Sequence, residues 1–173
     1  YQPLGVVGIV VPWNYPVFLT LGPLITALAA GNRAMIKLSE FTPATNAALE
    51  TMLAEVFSED EVVVITGEAE VAAQFSSLPF DHLLFTGSTA VGKLVMKAAA
   101  ENLTPVTLEL GGKSPALFAP GMKVDEIADR LLFGKSLNAG QTCVAPDYIL
   151  CPEGQLDELV AALKYCYQRF YPS

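Results

Sequence analysis

A continuous run of apolar, largely β-branched residues near the start of the chain restricts the folds open to it. Residues 4–11 read Leu-Gly-Val-Val-Gly-Ile-Val-Val, without the polar alternation of a half-exposed strand, and so predict a strand covered on both faces. Pro12 and Pro16 follow, and because proline has no N–H to donate, they end the strand. Strands of this kind occur mainly in parallel sheets with helices on each side.

Four further strand-like runs alternate with helical segments. The predicted strands are residues 34–38, 61–65, 82–86 and 106–110. The predicted helices are residues 21–30, a segment capped by Thr42 or Thr45 with Pro43 near its start, and residues 68–75 and 90–101. This alternation predicts an α/β fold, a doubly wound, Rossmann-like parallel sheet of about five strands with right-handed crossovers.

The sequence pattern changes beyond Gly112. Four segments follow, in turn strand-like, helical, strand-like and helical: residues 114–119, 124–137, 147–151 and 156–167. We therefore predict a dinucleotide-binding domain over residues 1–110 and the beginning of a second α/β domain over residues 111–173. Because the chain starts without Met and stops straight after a helical segment, we expect an internal fragment in which the second domain is truncated.

Charge and cysteine content argue against several classes of function. The net charge is −8 and the ten Lys and Arg residues are scattered, whereas nucleic-acid binding needs a clustered basic face. Cys143, Cys151 and Cys166 are odd in number and lack Cys-x-x-Cys spacing, which argues against a disulfide framework and a zinc site. Reduced thiols without metal-site spacing lead us to expect a cytoplasmic protein without a metal site. No apolar stretch is long enough to cross a bilayer, so we expect no membrane contact.

Polar residues suited to binding or catalysis follow several predicted strands, and parallel sheets bind ligands beyond the carboxyl ends of their strands. Asn14 follows the first strand and Glu109 ends the fifth. Lys37 and Glu40 stand at the end of the second. Residues 87–92, Gly-Ser-Thr-Ala-Val-Gly, connect the fourth strand to a helix, where exposed N–H groups and the helix dipole can hold a phosphate. Their convergence at one sheet edge predicts a functional site.

Each of these residues also has a structural interpretation. The glycine segment departs from the Gly-x-Gly-x-x-Gly fingerprint and could be a plain strand-to-helix turn. Lys37 and Glu40 could form a solvated surface pair, or could hydrogen-bond ribose hydroxyls. Asn14 could be a turn residue, or its amide could stabilise an oxyanion. Glu109 could be a helix-capping or ion-paired acid, or a general base if the end of a buried strand desolvates its carboxylate.

A single thiol stands among small and polar residues. Cys143 lies in the segment 138–145, Asn-Ala-Gly-Gln-Thr-Cys-Val-Ala. Small neighbours let a substrate approach the backbone and leave the sulfur accessible, and a thiolate adds readily to a carbonyl carbon. An isolated cysteine is more often a small buried hydrophobe. The other motifs of the chain favour the nucleophile.

Five short motifs, taken together, resemble those of the aldehyde dehydrogenase superfamily. They occur in the family's order and with family-like spacing, over almost the whole chain up to Cys151. They are Pro12-Trp13-Asn14, Lys37-Leu38-Ser39-Glu40, Phe85-Thr86-Gly87-Ser88-Thr89, Glu109-Leu110-Gly111-Gly112-Lys113 and Gly140-Gln141-Thr142-Cys143. The segments 103–107 and 144–148 are similar to those of the fatty- and aromatic-aldehyde branch, with coniferyl aldehyde dehydrogenases as the nearest match.

The resemblance implies oxidation of an aldehyde to a carboxylic acid with NAD, or with NADP as the alternative cofactor. Cys143 would be the nucleophile and Glu109 the base. The Asn14 amide and the Cys143 backbone N–H would form the oxyanion hole. The cofactor-binding residues would be Lys37 and Glu40 at the adenosine ribose, Gly87 and Ser88 at the pyrophosphate, and Pro12 and Trp13 beside them. The complete enzyme would be a homo-oligomer that acts on a small-molecule aldehyde.

Two departures from the family pattern bear on this expectation. The usual Lys-Pro-Ser-Glu motif has Leu38 in place of proline, which we expect to alter loop stiffness more than chemistry. The Glu-x-Phe-Gly-Pro-like motif, whose acid binds the nicotinamide ribose, is not in this chain. The competing hypotheses are therefore a non-catalytic nucleotide-binding fragment and a cysteine hydrolase in which His82, the only histidine, activates the thiol.

Overall fold

The computed structural model describes residues 2–172, and within them strands alternate with helices except between the fifth and sixth strands, which follow one another directly. The strands are β1 (Val6–Val10), β2 (Arg33–Lys37), β3 (Val62–Ile65), β4 (His82–Gly87), β5 (Val106–Leu110), β6 (Ser114–Leu117) and β7 (Pro146–Leu150). The helices are α1 (Pro16–Ala29), α2 (Pro43–Val56), α3 (Ala69–Ser76), α4 (Thr89–Ala100), α5 (Val124–Ser136) and α6 (Leu156–Phe170). The chain divides into two compact units, Tyr1–Leu110 and Gly111–Ser173.

The first unit contains one parallel sheet of five strands in the order β3-β2-β1-β4-β5. This confirms the predicted doubly wound, Rossmann-like sheet. β1 is central and pairs with β2 on one side and with β4 on the other. The strand order therefore reverses between β1 and β4, and ligands of such sheets bind in the crevice that this reversal opens beyond the carboxyl ends.

Apolar clusters cover both faces of β1, as its unbroken apolar run predicts. Ile9 belongs to a cluster with Leu24 of α1, while Val10 belongs to a second cluster with Phe75 of α3 and Val95 of α4. Burying a side chain of this size contributes about 1.5–3 kcal/mol. The central strand is therefore held on both sides, and the loop that follows it starts from a fixed point.

Two helix starts differ in detail from the prediction. Helix α1 begins at Pro16 rather than at residue 21, because a proline at the first helical position sacrifices no intrahelical hydrogen bond. Thr42 does occupy the N-cap of α2, yet its hydroxyl bonds to the Asn46 side-chain oxygen at 3.0 Å instead of a helix amide. The hydrophobic pattern of the sequence locates these two helices but does not fix the residues of their first turns.

The second unit is a β6–α5–β7 crossover to which α6 is added. β6 and β7 pair in parallel, and α6 packs on α5. The buried core consists of Phe118, Val124, Ile127, Ala128, Leu159 and Cys166. Among residues 2–172, no helix combines the length and the apolar character that crossing a bilayer requires.

Candidate active site

A cavity of about 460 Å³ opens at the carboxyl edge of the five-stranded sheet. Its lining comes from the segments that follow β1, β2 and β4, so it lies at the point where the strand order reverses. The residues predicted to bind a cofactor all line it: Pro12, Trp13, Lys37, Glu40, Gly87 and Ser88. The topology thus brings together residues that are far apart in sequence.

The inner walls of this cavity are apolar and come from two helices. The wall residues are Ala69, Ala72 and Ala73 of α3 and Val91, Leu94, Val95 and Ala98 of α4. Small and aliphatic side chains leave a slot suited to a flat, apolar ring, with the polar residues at one end. None of these wall residues was predicted from the sequence. The spacing of three alanines at i, i+3 and i+4 was the available signal.

Lys37 is a buried cation in the wall of the cavity. It is the last residue of β2 and is 1% exposed, which rules out a solvated surface pair with Glu40. Its Nζ donates a hydrogen bond to the Leu38 carbonyl at 2.7 Å. An ammonium group has three N–H donors, so two of them have no hydrogen-bond acceptor among the described residues and remain for a ligand. Burial lowers the pKa of Lys37, while the carboxylates of Glu40 and Glu68 act in the opposite direction and favour the charged form.

The turn from β4 into α4 presents backbone to the cavity. A Cβ at Gly87 would lie 2.5 Å from Cζ of Phe85, so a side chain does not fit there without displacing that ring. Ser88 is the N-cap of α4, and its hydroxyl accepts the N–H of Val91 at 3.3 Å. The other N–H groups of a first helical turn lack intrahelical partners and, with the helix dipole, attract phosphate.

Asn14 lies outside this cavity, one residue beyond Trp13. It lines an open groove of about 520 Å³ along α1. The other groove residues are Tyr15, Pro16, Val17, Phe18, Leu21, Gly22 and Ile25. Phe18 and Ile25 are 72% and 64% exposed. The loop between β1 and α1 therefore contributes Trp13 to the cavity and Asn14 to a neighbouring apolar groove.

Glu109 also lies outside the cavity, and the expectation that it ends a buried strand is wrong. β5 is an edge strand whose residues alternate between half-buried and exposed, and Glu109 is exposed. In the register of the sheet it pairs with Thr86 of β4, which does line the cavity. Glu109 therefore stands beside the cavity with its side chain exposed on the edge strand.

Cys143 lies in the second unit, in an exposed turn between α5 and β7. The Ala145 N–H closes the turn on the Thr142 carbonyl at 3.1 Å. Just before it, Asn138 and Ala139 have φ angles of 50° and 55°, in the left-handed region. Each such residue costs about 1–3 kcal/mol, and this kind of strain concentrates at functional sites. A strained, exposed segment thus carries the thiol.

The other two cysteines are placed as structural residues. Cys166 is 3% exposed, and its Sγ donates to Oδ1 of Asp129 at 2.9 Å. This hydrogen bond and burial raise the pKa of the Cys166 thiol, and Arg169 pairs with the same carboxylate. Cys151 is half-buried and packs against the same core. Exposure therefore distinguishes Cys143 as the thiol available for chemistry.

His82 has a partner of its own in the first unit. It begins β4, at the end of the strand opposite the cavity, and its Nε2 is 2.9 Å from Oγ1 of Thr107. This position gives no support to a hydrolase in which the imidazole activates a thiol. Within the described part of the chain, no group of three or more His, Cys, Asp or Glu residues is arranged to hold a metal ion.

Comparison with known proteins decides the family. The model of the aldehyde dehydrogenase family matches residues 1–170. The chain belongs to the aldehyde dehydrogenase family. The resemblance inferred from the five motifs is therefore confirmed.

Individual aldehyde dehydrogenases match almost the whole of this chain. A probable coniferyl aldehyde dehydrogenase of Pseudomonas aeruginosa is 63% identical over 172 residues, which is 99% of this chain and 36% of that protein. The substrate-bound AldH of Staphylococcus aureus superposes with a TM-score of 0.97 at 46% identity, over 99% of this chain and 38% of its own. Mycobacterium tuberculosis aldehyde dehydrogenase complexed with NAD+ superposes with a TM-score of 0.89 at 40% identity, over 96% of this chain and 35% of its own. This aldehyde dehydrogenase chain thus spans little more than a third of its relatives' length.

Proposed function

We propose that the complete protein oxidises an aldehyde to a carboxylic acid, with NAD+ or NADP+ as the hydride acceptor. The observation that carries the proposal is the cavity at the strand reversal, which unites the six predicted cofactor residues. Residues 1–110 would be the cofactor-binding domain, and residues 111–173 would begin the domain that bears the thiol. The NAD+ complex of the Mycobacterium tuberculosis relative supports the same cofactor here.

The chemistry of the cavity fits each part of that cofactor. The apolar slot between α3 and α4 suits the adenine ring, and Lys37 and Glu40 at its end suit ribose hydroxyls, as donor and acceptor. The first turn of α4, reached through Gly87 and Ser88, suits the pyrophosphate. When bound, the cofactor supplies the nicotinamide that accepts a hydride. The residues of this chain bind and orient it.

Replacing Lys37 by Met should weaken NAD+ binding by about 10- to 100-fold, because a hydrogen bond from a charged group contributes about 1.5–3 kcal/mol. Met keeps most of the buried volume, so the fold should survive. The measurement is the Kd for NAD+ from calorimetry on the complete protein. The matched control is Lys93→Met, on an exposed position of α4 that does not line the cavity. Equal Kd values for Lys37→Met and the wild type would contradict the assignment.

In the proposed reaction, the Cys143 thiolate adds to the aldehyde carbon and forms a C–S bond. The side-chain amide of Asn14 donates a hydrogen bond to the resulting oxyanion. Transfer of a hydride from this thiohemiacetal to the nicotinamide of a bound cofactor would leave a thioester on Cys143. Glu109 takes a proton from a water molecule, which attacks the thioester, releases the carboxylic acid and restores the thiol. The strained approach to Cys143 and its exposure support the first step.

The groove beside Asn14 supports an apolar aldehyde as the substrate. If this amide holds the oxygen of the reacting carbonyl, the rest of the substrate has the side chains of Tyr15, Phe18 and Ile25 within its reach. These residues suit an aromatic or long aliphatic group far better than a polar one. The coniferyl relative, at 63% identity, supports an aromatic aldehyde of that type.

The test is cofactor-dependent oxidation by the complete protein across a panel of aldehydes. We expect NADH formation that depends on the aldehyde, with kcat/KM for coniferyl aldehyde at least about tenfold above that for glycolaldehyde, because apolar contacts in a pocket contribute about 1–3 kcal/mol. Binding of NAD+ without turnover of any aldehyde would favour the non-catalytic alternative. Formation of the acid without a nicotinamide cofactor would contradict the proposal outright.

Location and assembly complete the proposal. We propose a cytoplasmic protein, since its cysteines are free and a reducing compartment keeps them so. We also propose that the complete protein is a homo-oligomer, as its resemblance to the aldehyde dehydrogenase family implies.

A further inference from the structure

We propose that Glu68 is a second residue, beside Glu40, that selects NAD+ over NADP+ at the ribose end of the cavity. The inference rests on the proposed function, since it concerns the cofactor of that same site. Glu68 belongs to none of the five motifs on which the family resemblance rests. Three features of the structure carry it: the position of the β3–α3 connection, the freedom of the Glu68 carboxylate, and the charges around Lys37.

The connection between β3 and α3 starts directly beside Lys37. Lys37 and Ile65 are paired in the register of β2 and β3, and the Leu38 N–H donates to the Ile65 carbonyl at 3.1 Å. Glu68 follows Ile65 by three residues, and its neighbour Ala69 lines the cavity. Glu68 therefore lies in the short segment between Ile65, which is paired with Lys37, and Ala69, which lines the cavity.

The local backbone leaves the Glu68 carboxylate available. Gly67 has a φ of 135°, and a Cβ there would lie 2.7 Å from Cγ2 of Val71, so the turn into α3 requires glycine. This turn makes Glu68 the N-cap of α3. Its side chain makes no capping hydrogen bond and is exposed within the described chain. The carboxylate is thus committed to no partner of its own helix.

The charges near Lys37 suit a neutral hydroxyl better than a phosphate. The carboxylates of Glu40 and Glu68 both raise the pKa of Lys37 against the effect of burial, so two acids act on one cation at the end of β2. The adenosine ribose of NAD+ presents a 2′-hydroxyl, which donates well to a carboxylate. The 2′-phosphate of NADP+ brings close to two negative charges at neutral pH and is repelled by both acids.

The experiment compares two ligands that differ in the 2′-phosphate alone. Calorimetry gives the Kd of adenosine 5′-monophosphate and of adenosine 2′,5′-bisphosphate for the complete wild-type protein, Glu68→Gln and Glu70→Gln. Glu70→Gln is the matched control, since it removes the same charge from the first turn of α3 but from a residue that does not act on Lys37. NAD+ is titrated into all three proteins.

We expect Glu68→Gln to improve binding of the bisphosphate relative to the monophosphate by about three- to tenfold, an effect that shrinks as salt rises. Glu70→Gln should change that ratio less than about twofold. If the ratio of bisphosphate to monophosphate affinity is unchanged in Glu68→Gln, or changes equally in both variants, the role of Glu68 is rejected. Binding of NAD+ by the wild type in the same experiment would show that the proposed cofactor site itself still stands. A wild type that binds neither NAD+ nor the monophosphate would reject the proposed function and this inference together.

Discussion

Replacing Cys143 by Ala in the complete protein should abolish aldehyde-dependent NADH formation, with kcat lowered by about 10⁴-fold or more, as for the loss of other covalent nucleophiles. Without the sulfur no thiohemiacetal forms, and the aldehyde has no tetrahedral carbon from which to lose a hydride. Because Cys143 is exposed in a turn, the substitution should leave the free energy of unfolding within about 0.5 kcal/mol. The Kd for NAD+, measured by calorimetry, should stay close to the wild-type value.

Cys151→Ala is the matched control for that experiment. Cys151 is half-buried against the core of the second unit, so its loss affects packing and leaves the thiol of Cys143 in place. We expect nearly wild-type kcat from this variant and a thermal midpoint lowered by a few degrees at most. Normal turnover in Cys143→Ala would end the assignment of the nucleophile.

Replacing Glu109 by Gln should block the second half of the reaction and spare the first. The amide cannot take a proton from water, so the thioester should persist and kcat should fall by about 10²- to 10⁴-fold. Rapid mixing of the variant with NAD+ and excess coniferyl aldehyde should then give a burst of about one NADH per active site, followed by a slow steady rate. Because Glu109 is exposed on an edge strand, the fold should be unaffected.

Glu101→Gln provides the control for the base. Glu101 is an exposed acid at the C-cap of α4, so the same substitution there should leave the steady rate unchanged and produce no burst. A Glu109→Gln variant with wild-type steady-state turnover would assign the activation of water to another group. A variant with neither burst nor turnover would place Glu109 before the thioester, contrary to the proposed sequence of steps.

The fold could be predicted because the apolar runs and the helical segments between them all indicate the same parallel sheet. The five apolar runs have the length and β-branched content of parallel strands, and each of the first four is followed by a helical segment long enough for a crossover. Parallel strands then carry the residues at their carboxyl ends to one edge. That is why Lys37, Gly87 and Trp13, distant in sequence, could be expected to meet in one cavity.

The rest depends on packing that a local pattern does not encode. Glu109 ends an apolar run that resembles the other strands, yet its strand lies at the edge of the sheet, and strand order rather than composition decides its exposure. The left-handed backbone at Asn138 and Ala139 has no strong signal, since alanine rarely adopts it. Glu68 precedes an ordinary amphipathic helix, so the sequence pattern gives it no functional role. Its proposed role depends on Lys37, which lies on the strand next to β3.

The most direct measurement locates the acyl group itself. The Glu109→Gln variant of the complete protein is mixed with NAD+ and coniferyl aldehyde, quenched in acid to preserve thioesters, digested and mapped by tandem mass spectrometry. We predict one acyl group, with the mass of the oxidised aldehyde, on the peptide that contains Cys143, and none when NAD+ is omitted. An acyl group on a different residue, or NADH formed while Cys143 stays unmodified, would contradict covalent catalysis by this thiol.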